Sequence, residues 1–185
     1  MLKDIMVKAE QRMQGAIRSL EEEMAGIRTG RASPALVEHL SVEYYGTLTP
    51  LQQLATIAAP EPQMITIRPY DPGSLNTIEK AILVSDLGLT PSNDGKLIRL
   101  MIPPLTEERR QDLVKIVSKR LEEAKVAVRN IRRDALEDMR KLEKDKQVSE
   151  DEFFTAKEEL QGLTDHYSEE IDRIGERKEQ EIMEV

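Results

Sequence analysis

Apolar residues recur every three or four positions over residues 2–27, which is the spacing of one face of an α-helix. The same spacing continues through residues 106–146, where no proline or glycine interrupts it. Thr106 is placed to cap this second helix, and Glu107 and Glu108 follow in the first turn, where the helix dipole favours carboxylates. The pattern therefore predicts two long amphipathic helices that flank a different kind of sequence.

A third amphipathic helix is expected directly after the second. Ser149 and Glu152 have the spacing of a capping box, in which each side chain bonds the backbone N–H of the other residue. A single helix cannot bury its apolar stripe in water, so we expect the three helices to pack into a bundle. The short link between the second and third helices predicts that these two are antiparallel neighbours. The third stripe comprises Phe153, Ala156, Leu160, Leu163, Tyr167, Ile171 and Ile174.

Residues 31–104 differ from both flanks, because all nine prolines of the chain lie among them. A helix is expected from Ser74, as the N-cap, to Leu87, with Gly88 ending it. Asn93-Asp94-Gly95 predicts a hairpin turn. Short runs rich in β-branched and aromatic residues predict three strands, at Leu40–Tyr45, Met64–Pro69 and Leu97–Ile102.

The predicted fold class is therefore α+β with two domains. An antiparallel three-helix bundle is formed by residues 1–30 together with 105–185. A small β/α/β domain, residues 31–104, is inserted between the first and second helices of that bundle.

Two chain crossings join the predicted domains, near residues 29–34 and 103–105. Domains of one chain move relative to one another unless a large interface holds them, so we expect a hinge here, although a rigid elbow is the alternative. Glycine gives the first crossing conformational freedom, whereas paired prolines restrict the second. The hinge residues so predicted are Gly30, Arg31, Pro103 and Pro104.

Composition excludes several classes of site. The chain has no cysteine, which excludes a disulfide scaffold, a thiolate metal site and a cysteine nucleophile. His39 and His166 fall in different predicted domains, so no metal site is expected. No glycine-rich phosphate loop and no nucleophile–base pair is present, so we predict no catalytic residue, no cofactor and no enzyme activity. A cytoplasmic protein without membrane contact is expected, since no apolar run could span a bilayer and no secretory signal is recognisable.

Charge is distributed unevenly along the chain. The formal net charge is −8, which argues against a general nucleic-acid binder. However, residues 105–133 carry net +4, whereas residues 134–185 carry net −10. Because salt screens charges over about 8 Å, a local basic patch matters more to a close partner than the total charge does.

Four cations of the basic segment fall on one side of the predicted second helix. Lys125, Arg129 and Arg132 are spaced by four and three residues, and Arg133 lies four residues after Arg129. Arginine suits phosphate, because its planar guanidinium offers several donors and stays charged. On spacing alone, a solvated face with weak ion pairs explains these residues equally well.

Five blocks of sequence follow one another along the chain. They are Thr29–Pro34, Val42–Gly46 with Thr49–Leu51, Ile78–Ile82 with Ser85–Leu89, Leu105–Arg110 and Val128–Ala135. In this order, and over nearly the whole chain, they resemble the ribosome recycling factors. The resemblance implies a three-helix bundle with an inserted β/α/β domain, together L-shaped like a transfer RNA.

The resemblance also implies a function and its partners. Such a factor acts on the post-termination ribosome and, with elongation factor G and GTP hydrolysis by that partner, splits the particle. Large-subunit ribosomal RNA is then the ligand of the helical bundle, recognised through phosphates and shape because few aromatic side chains are available for stacking. The RNA-binding residues so implied are Arg132 at the centre, Arg129 and Arg133 in support, and Arg28 and Arg110 near the end of the first helix and the start of the second. Lys125 joins them through its spacing on the second helix.

A second class of function stays open, namely a helical scaffold or adaptor whose helices pair with another protein. We expect a monomer, and the resemblance implies that its small domain meets elongation factor G. In that domain, Tyr44, Tyr45 and Tyr70 are expected to pack in the core or at a sheet edge.

Overall fold

A computed structural model describes residues 1–184 of the chain. Within these residues the chain forms four α-helices and six β-strands. None of the four helices combines the length and the hydropathy that a membrane span needs. The elements are α1 (Leu2–Ala25), β1 (Ser41–Tyr44), β2 (Thr47–Pro50), β3 (Ala55–Glu61), β4 (Met64–Pro69), α2 (Leu75–Val84), β5 (Pro91–Asn93), β6 (Ile98–Met101), α3 (Glu107–Lys144) and α4 (Glu150–Met183).

The chain divides into two compact units. The helical unit contains Met1–Arg28 and resumes at Thr106, so it is built from α1, α3 and α4. The sheet unit contains Thr29–Leu105, with the six strands and α2. The predicted combination of three long helices with an inserted α/β region is thereby confirmed.

The helical unit consists of three amphipathic helices, each of which packs on the other two. Arg12 Nη1 lies 3.2 Å from Asp134 Oδ2, and Arg120 Nε lies 3.7 Å from Glu23 Oε2, so α1 and α3 run in opposite directions. The apolar stripes are buried between the helices, which removes them from water. Fully buried side chains include Met13 on α1, Val117, Val128 and Met139 on α3, and Ile171 and Ile182 on α4.

Both long C-terminal helices begin at the predicted caps. Thr106 Oγ1 accepts a hydrogen bond from Arg109 N (3.1 Å). Ser149 N donates to Glu152 Oε2 (2.7 Å), and Ser149 Oγ accepts from Glu152 N (3.1 Å), which completes the capping box. The hydrogen bond from Ser149 N lowers the pKa of Glu152. The Glu152 carboxylate therefore stabilises α4 fully at pH values above the ordinary glutamate pKa. This stabilisation is lost as the pH falls through the lowered pKa of Glu152.

α3 and α4 come very close at Gly175. A Cβ placed on Gly175 would overlap Leu121 Cδ1 and lie 3.2 Å from Leu121 Cγ, whereas a Cβ on Gly162, also within α4, would meet nothing within 4 Å. Glycine costs helix stability at either position. At Gly175 that cost is offset by the close packing that the missing side chain permits.

The sheet unit holds a four-stranded antiparallel sheet in the order β3-β4-β6-β5 and a separate hairpin of β1 and β2. Ile65 and Ile67 on β4 and Ile98 and Leu100 on β6 alternate with more exposed residues and are fully buried. With Ile78 and other apolar residues of α2 they belong to one hydrophobic core. The period of two along these strands therefore places one face of the sheet inward.

Three strands, β2, β3 and β5, are not predicted by the sequence pattern. β3 and β5 are the edges of the sheet, where one side of each strand has no neighbour. Pro60 and Pro91 are tolerated there, because an edge strand can lose an N–H without losing a central ladder bond. Pro60 and Pro91, which in the sequence indicate loops, thus lie within edge strands.

Two local expectations for the sheet unit are wrong. α2 ends at Val84, not at Leu87, because Ser85 adopts an extended conformation with ψ of 162°. Ser74 stands at the N-cap, but its hydroxyl donates to Asp71 O (2.7 Å) instead of capping α2.

The tyrosine expectation is also partly wrong. Tyr44 is half-buried and packs against the core. In contrast, Tyr45 is 86% exposed and Tyr70 is 67% exposed.

We predict that Gly175→Ala lowers the free energy of unfolding of the helical unit by about 1–3 kcal/mol, because the new methyl group displaces Leu121. Urea unfolding followed by helical circular dichroism measures this change. The matched variant is Gly162→Ala, which should raise stability by about 0.5–1 kcal/mol. Equal effects of the two substitutions would show that the α3–α4 approach imposes no packing constraint.

Candidate nucleic-acid interface

The basic side chains in the middle of α3 lie on the outside of the helical unit. Val128 and Ile131 are buried, whereas Arg129 and Arg133 are exposed and Arg132 is half-buried. At about 100° per residue, Arg129 and Arg132 differ by roughly 60° around the helix axis. They therefore share one side of α3, and with Lys125 and Arg133 we call this set the α3 stripe.

Two cations of the α3 stripe are paired with carboxylates of the same unit. Arg129 Nη2 lies 2.7 Å from Glu122 Oε1, and Lys125 Nζ lies 2.6 Å from Asp172 Oδ1 on α4. All four side chains are at least one-third exposed, and such pairs contribute about 0–1 kcal/mol each. A phosphate group can therefore replace either carboxylate at little cost.

Arg132 and Arg133 differ from these paired cations. Within residues 1–184, neither forms an ion pair or a side-chain hydrogen bond. Partial burial of Arg132 restricts its rotamers, which lowers the conformational entropy that binding would cost. The donors of both guanidinium groups are available to an external anion.

Arg28 and Arg110 lie at one end of the helical unit. Arg28 is exposed and follows the end of α1, whereas Arg110 is half-buried in the first turn of α3. The antiparallel packing of α1 and α3 brings these two helix ends to the same end of the unit. Arg110 precedes Lys125 by fifteen residues, about 22 Å along the helix, so these arginines are separate from the α3 stripe.

Carboxylates of α4 border the α3 stripe. Asp165, Glu169, Asp172 and Glu176 follow one another at steps of four, three and four, so they share a face of α4, and Asp172 is the partner of Lys125. In an isolated helix this row would only improve solubility. Beside the α3 stripe this row of carboxylates repels anions and limits where an anionic ligand could lie.

Sequence reasoning missed the carboxylates that pair with the α3 stripe. Glu122 lies seven residues before Arg129, which is two helical turns on the same side, so this signal was present in the sequence. Asp172 could be found only once the register between α3 and α4 was known.

Other chemistry has little support in this part of the chain. Within residues 1–184, no group of three or more His, Asp or Glu side chains is arranged to hold a metal ion. His39 is exposed in the sheet unit, and His166 on α4 lies 3.9 Å from Glu170 Oε2. The arrangement that stands out is suited to anion binding.

The two chain connections between the units lie side by side within the sheet unit. Gly30 has a φ of +76°, and a Cβ on it would lie 2.9 Å from Leu105 Cγ and 3.2 Å from Leu105 N. Glycine is therefore favoured here both by backbone conformation and by space. Pro103 and Pro104, directly before Leu105, are exposed, and Arg31 is also exposed.

Comparison with known proteins adds independent information. A family model described as Ribosome recycling factor matches residues 20–183. The chain is 57% identical to the Ribosome-recycling factor of Roseiflexus castenholzii (strain DSM 13941 / HLO8), and the alignment covers all of both chains. It is 54% identical to that of Dehalococcoides mccartyi (strain ATCC BAA-2266 / KCTC 15142 / 195), again over the full length of both.

Solved structures give the same relationship. A solution structure of a ribosome recycling factor matches all of this chain and 98% of its own, with a TM-score of 0.77 and 48% identity. A second match is the T. thermophilus ribosome recycling factor in models of that factor and E. coli elongation factor G bound to the E. coli post-termination complex. It covers all of both chains, with a TM-score of 0.65 and 49% identity. We conclude that the chain belongs to the ribosome recycling factor family, a family of translation factors.

Proposed function

We propose that this chain binds the post-termination ribosome and, with elongation factor G and GTP hydrolysis by that factor, promotes dissociation of the ribosome for recycling. The observation that carries the proposal is the α3 stripe, whose members Arg132 and Arg133 have no intramolecular partner within residues 1–184. The T. thermophilus relative is described with elongation factor G on a post-termination complex, which supports both partners. The cytoplasm is the compartment that we propose for this function.

Large-subunit ribosomal RNA is the proposed ligand of the α3 stripe. Arg132 is the central contact, Arg129 and Arg133 support it, and Lys125 extends the stripe towards α4. Guanidinium groups bind phosphate bidentately, and the chain is only 3% aromatic, so the proposed mode is backbone and shape recognition without base stacking. Arg28 and Arg110 are proposed as a second, more distant contact.

The chain contributes binding and movement in this proposal, whereas the energy for splitting comes from its GTP-hydrolysing partner. A helical scaffold has less support, because α1, α3 and α4 bury their apolar stripes on one another. The exposed apolar side chains of these helices, such as Val7 and Val126, are scattered and do not form a second stripe.

Movement is proposed at the crossings near residues 29–34 and 103–105. Gly30, Arg31, Pro103 and Pro104 are the proposed hinge residues. The chain passes twice between two units that each have their own hydrophobic core, and units joined in this way move unless a large interface holds them.

The function itself is tested by a subunit-splitting assay on post-termination ribosomes, measured by light scattering. We expect rapid splitting with this chain, elongation factor G and GTP together, and little splitting when any one of the three is omitted or when GTP is replaced by a non-hydrolysable analogue. Splitting that proceeds equally well without elongation factor G would contradict the proposed division of labour.

We predict that Arg132→Ala weakens ribosome binding about tenfold, which corresponds to about 1.4 kcal/mol, and lowers the salt dependence of binding by about one phosphate contact. Cosedimentation with ribosomes at several salt concentrations measures both changes. Arg120→Ala is the matched control, because Arg120 is on the same helix but is paired with Glu23 of α1. If both variants bind like the parent, the α3 stripe is not the RNA contact.

The hinge is tested by distances between spin labels on cysteines introduced at Val84 in the sheet unit and Phe154 in the helical unit. The chain has no cysteine of its own, so only these sites react. We expect a broader distance distribution than for a control pair at Ser118 and Phe154, which both lie in the helical unit. Equal widths for the two pairs would argue for a rigid connection.

A further inference from the structure

Tyr45 occupies an unfavourable position for a tyrosine. Tyr44 pairs with Thr47 in the β1–β2 hairpin, so the connecting loop consists of Tyr45 and Gly46 alone. Both have positive φ, at 49° and 77°. A two-residue turn of this kind favours Asn-Gly, because a bulky side chain is disfavoured in the left-handed conformation.

The ring of Tyr45 does not compensate by packing in the core. It is 86% exposed, and its recorded ring contact is an edge-to-face arrangement with Tyr44 at a centroid distance of 4.5 Å. Tyr44, in contrast, is held in place, since its hydroxyl donates to Asp71 Oδ2 (3.1 Å). Backbone strain together with an exposed aromatic ring points to a role outside the folded unit.

A small cleft of about 210 Å³ lies beside this ring. Its lining includes Tyr44, Tyr45, Glu43 and Asp71, and no lysine or arginine of the described residues lines it. Asp71 is held rigidly, because its Oδ1 also accepts a hydrogen bond from Gly73 N (2.9 Å). The hydrogen bond to Asp71, in which the Tyr44 phenol is the donor, raises the pKa of Tyr44.

We propose that this cleft, here named the Tyr45 cleft, receives an arginine or lysine side chain of a protein partner. The face of Tyr45 offers a cation–π contact, and Glu43 and Asp71 supply the opposite charge. The same carboxylates repel phosphate, which disfavours RNA as the occupant. The inference rests on the proposed function in one respect: the partner acts together with this chain on the ribosome.

The first test is independent of ribosomes and uses a tetra-arginine peptide as the probe. We expect its titration into the isotope-labelled chain to shift the amide signals of residues 43–45 and 71–73. Tyr45→Asn should weaken this binding at least threefold, whereas Tyr45→Phe and the equally exposed control Val84→Asn should bind like the parent. Absence of shifts at these residues would overturn the proposal.

The second test measures splitting with elongation factor G and GTP. Asparagine suits the turn, so we expect Tyr45→Asn to melt at the parent temperature or higher and to bind ribosomes within twofold of the parent, yet to split them about tenfold more slowly. Splitting within twofold of the parent, or weakened binding to protein-free large-subunit RNA, would overturn the proposal. If the parent itself does not split ribosomes, the proposed function fails, while the peptide titration still decides the cleft.

Discussion

The buried seam of α3 determines where the proposed RNA-binding side chains of the helical unit can lie. Val128, Ile131 and Ala135 face the other helices, and Arg129 and Arg132 each follow a buried residue by one position. With 3.6 residues per turn, that offset places both guanidinium groups at the margin of the seam and outside it. An arginine shifted by one position, into the seam, would become an unpaired buried charge, which costs several kcal/mol. The helical period that buries the seam therefore also places the α3 stripe on the outer surface of the bundle.

The stripe holds its own competitors for phosphate. Glu122 forms an ion pair with Arg129, and Asp172 forms one with Lys125, at distances typical of charge-assisted hydrogen bonds. An isolated phosphate gains little by displacing one carboxylate, because it exchanges one exposed ion pair for another. A folded RNA that brings several phosphates to Arg132, Arg133 and Arg129 together gains the unpaired contacts first. The paired cations then bind further phosphates of an RNA that Arg132 and Arg133 already hold in place. The ion pairs within the α3 stripe are therefore expected to favour dense, structured RNA over single strands.

The helical half of the fold was predictable because its signals are local and repeated. Helix period and the caps at Thr106 and Ser149 depend on residues within a few positions of one another. The edge strand β3 was missed, because Ala-Thr-Ile-Ala-Ala-Pro-Glu has little intrinsic strand preference and is held by pairing with β4. In the site, the arginines could be read from spacing, but Asp172 could not, because the register of two helices is a tertiary property. The expectation that Tyr45 packs in the core or at a sheet edge was wrong for a similar reason. Its exposure depends on its place in the β1–β2 turn, which is set by how the two strands pair.

The strongly negative total charge does not contradict the proposed RNA-binding face. From Lys125 to Arg133 the α3 stripe spans about 12 Å of helix, while salt screens exposed charges beyond about 8 Å. A phosphate at Arg133 therefore responds mainly to charges within one or two helical turns, which include Arg129 and Arg132. Carboxylates farther along α4 repel this phosphate only weakly, because salt screens them. The same carboxylates strongly repel any RNA strand that approaches α4 itself. Local attraction and distributed repulsion thus select one orientation of the ligand, which a uniformly basic helix of the same length could not do.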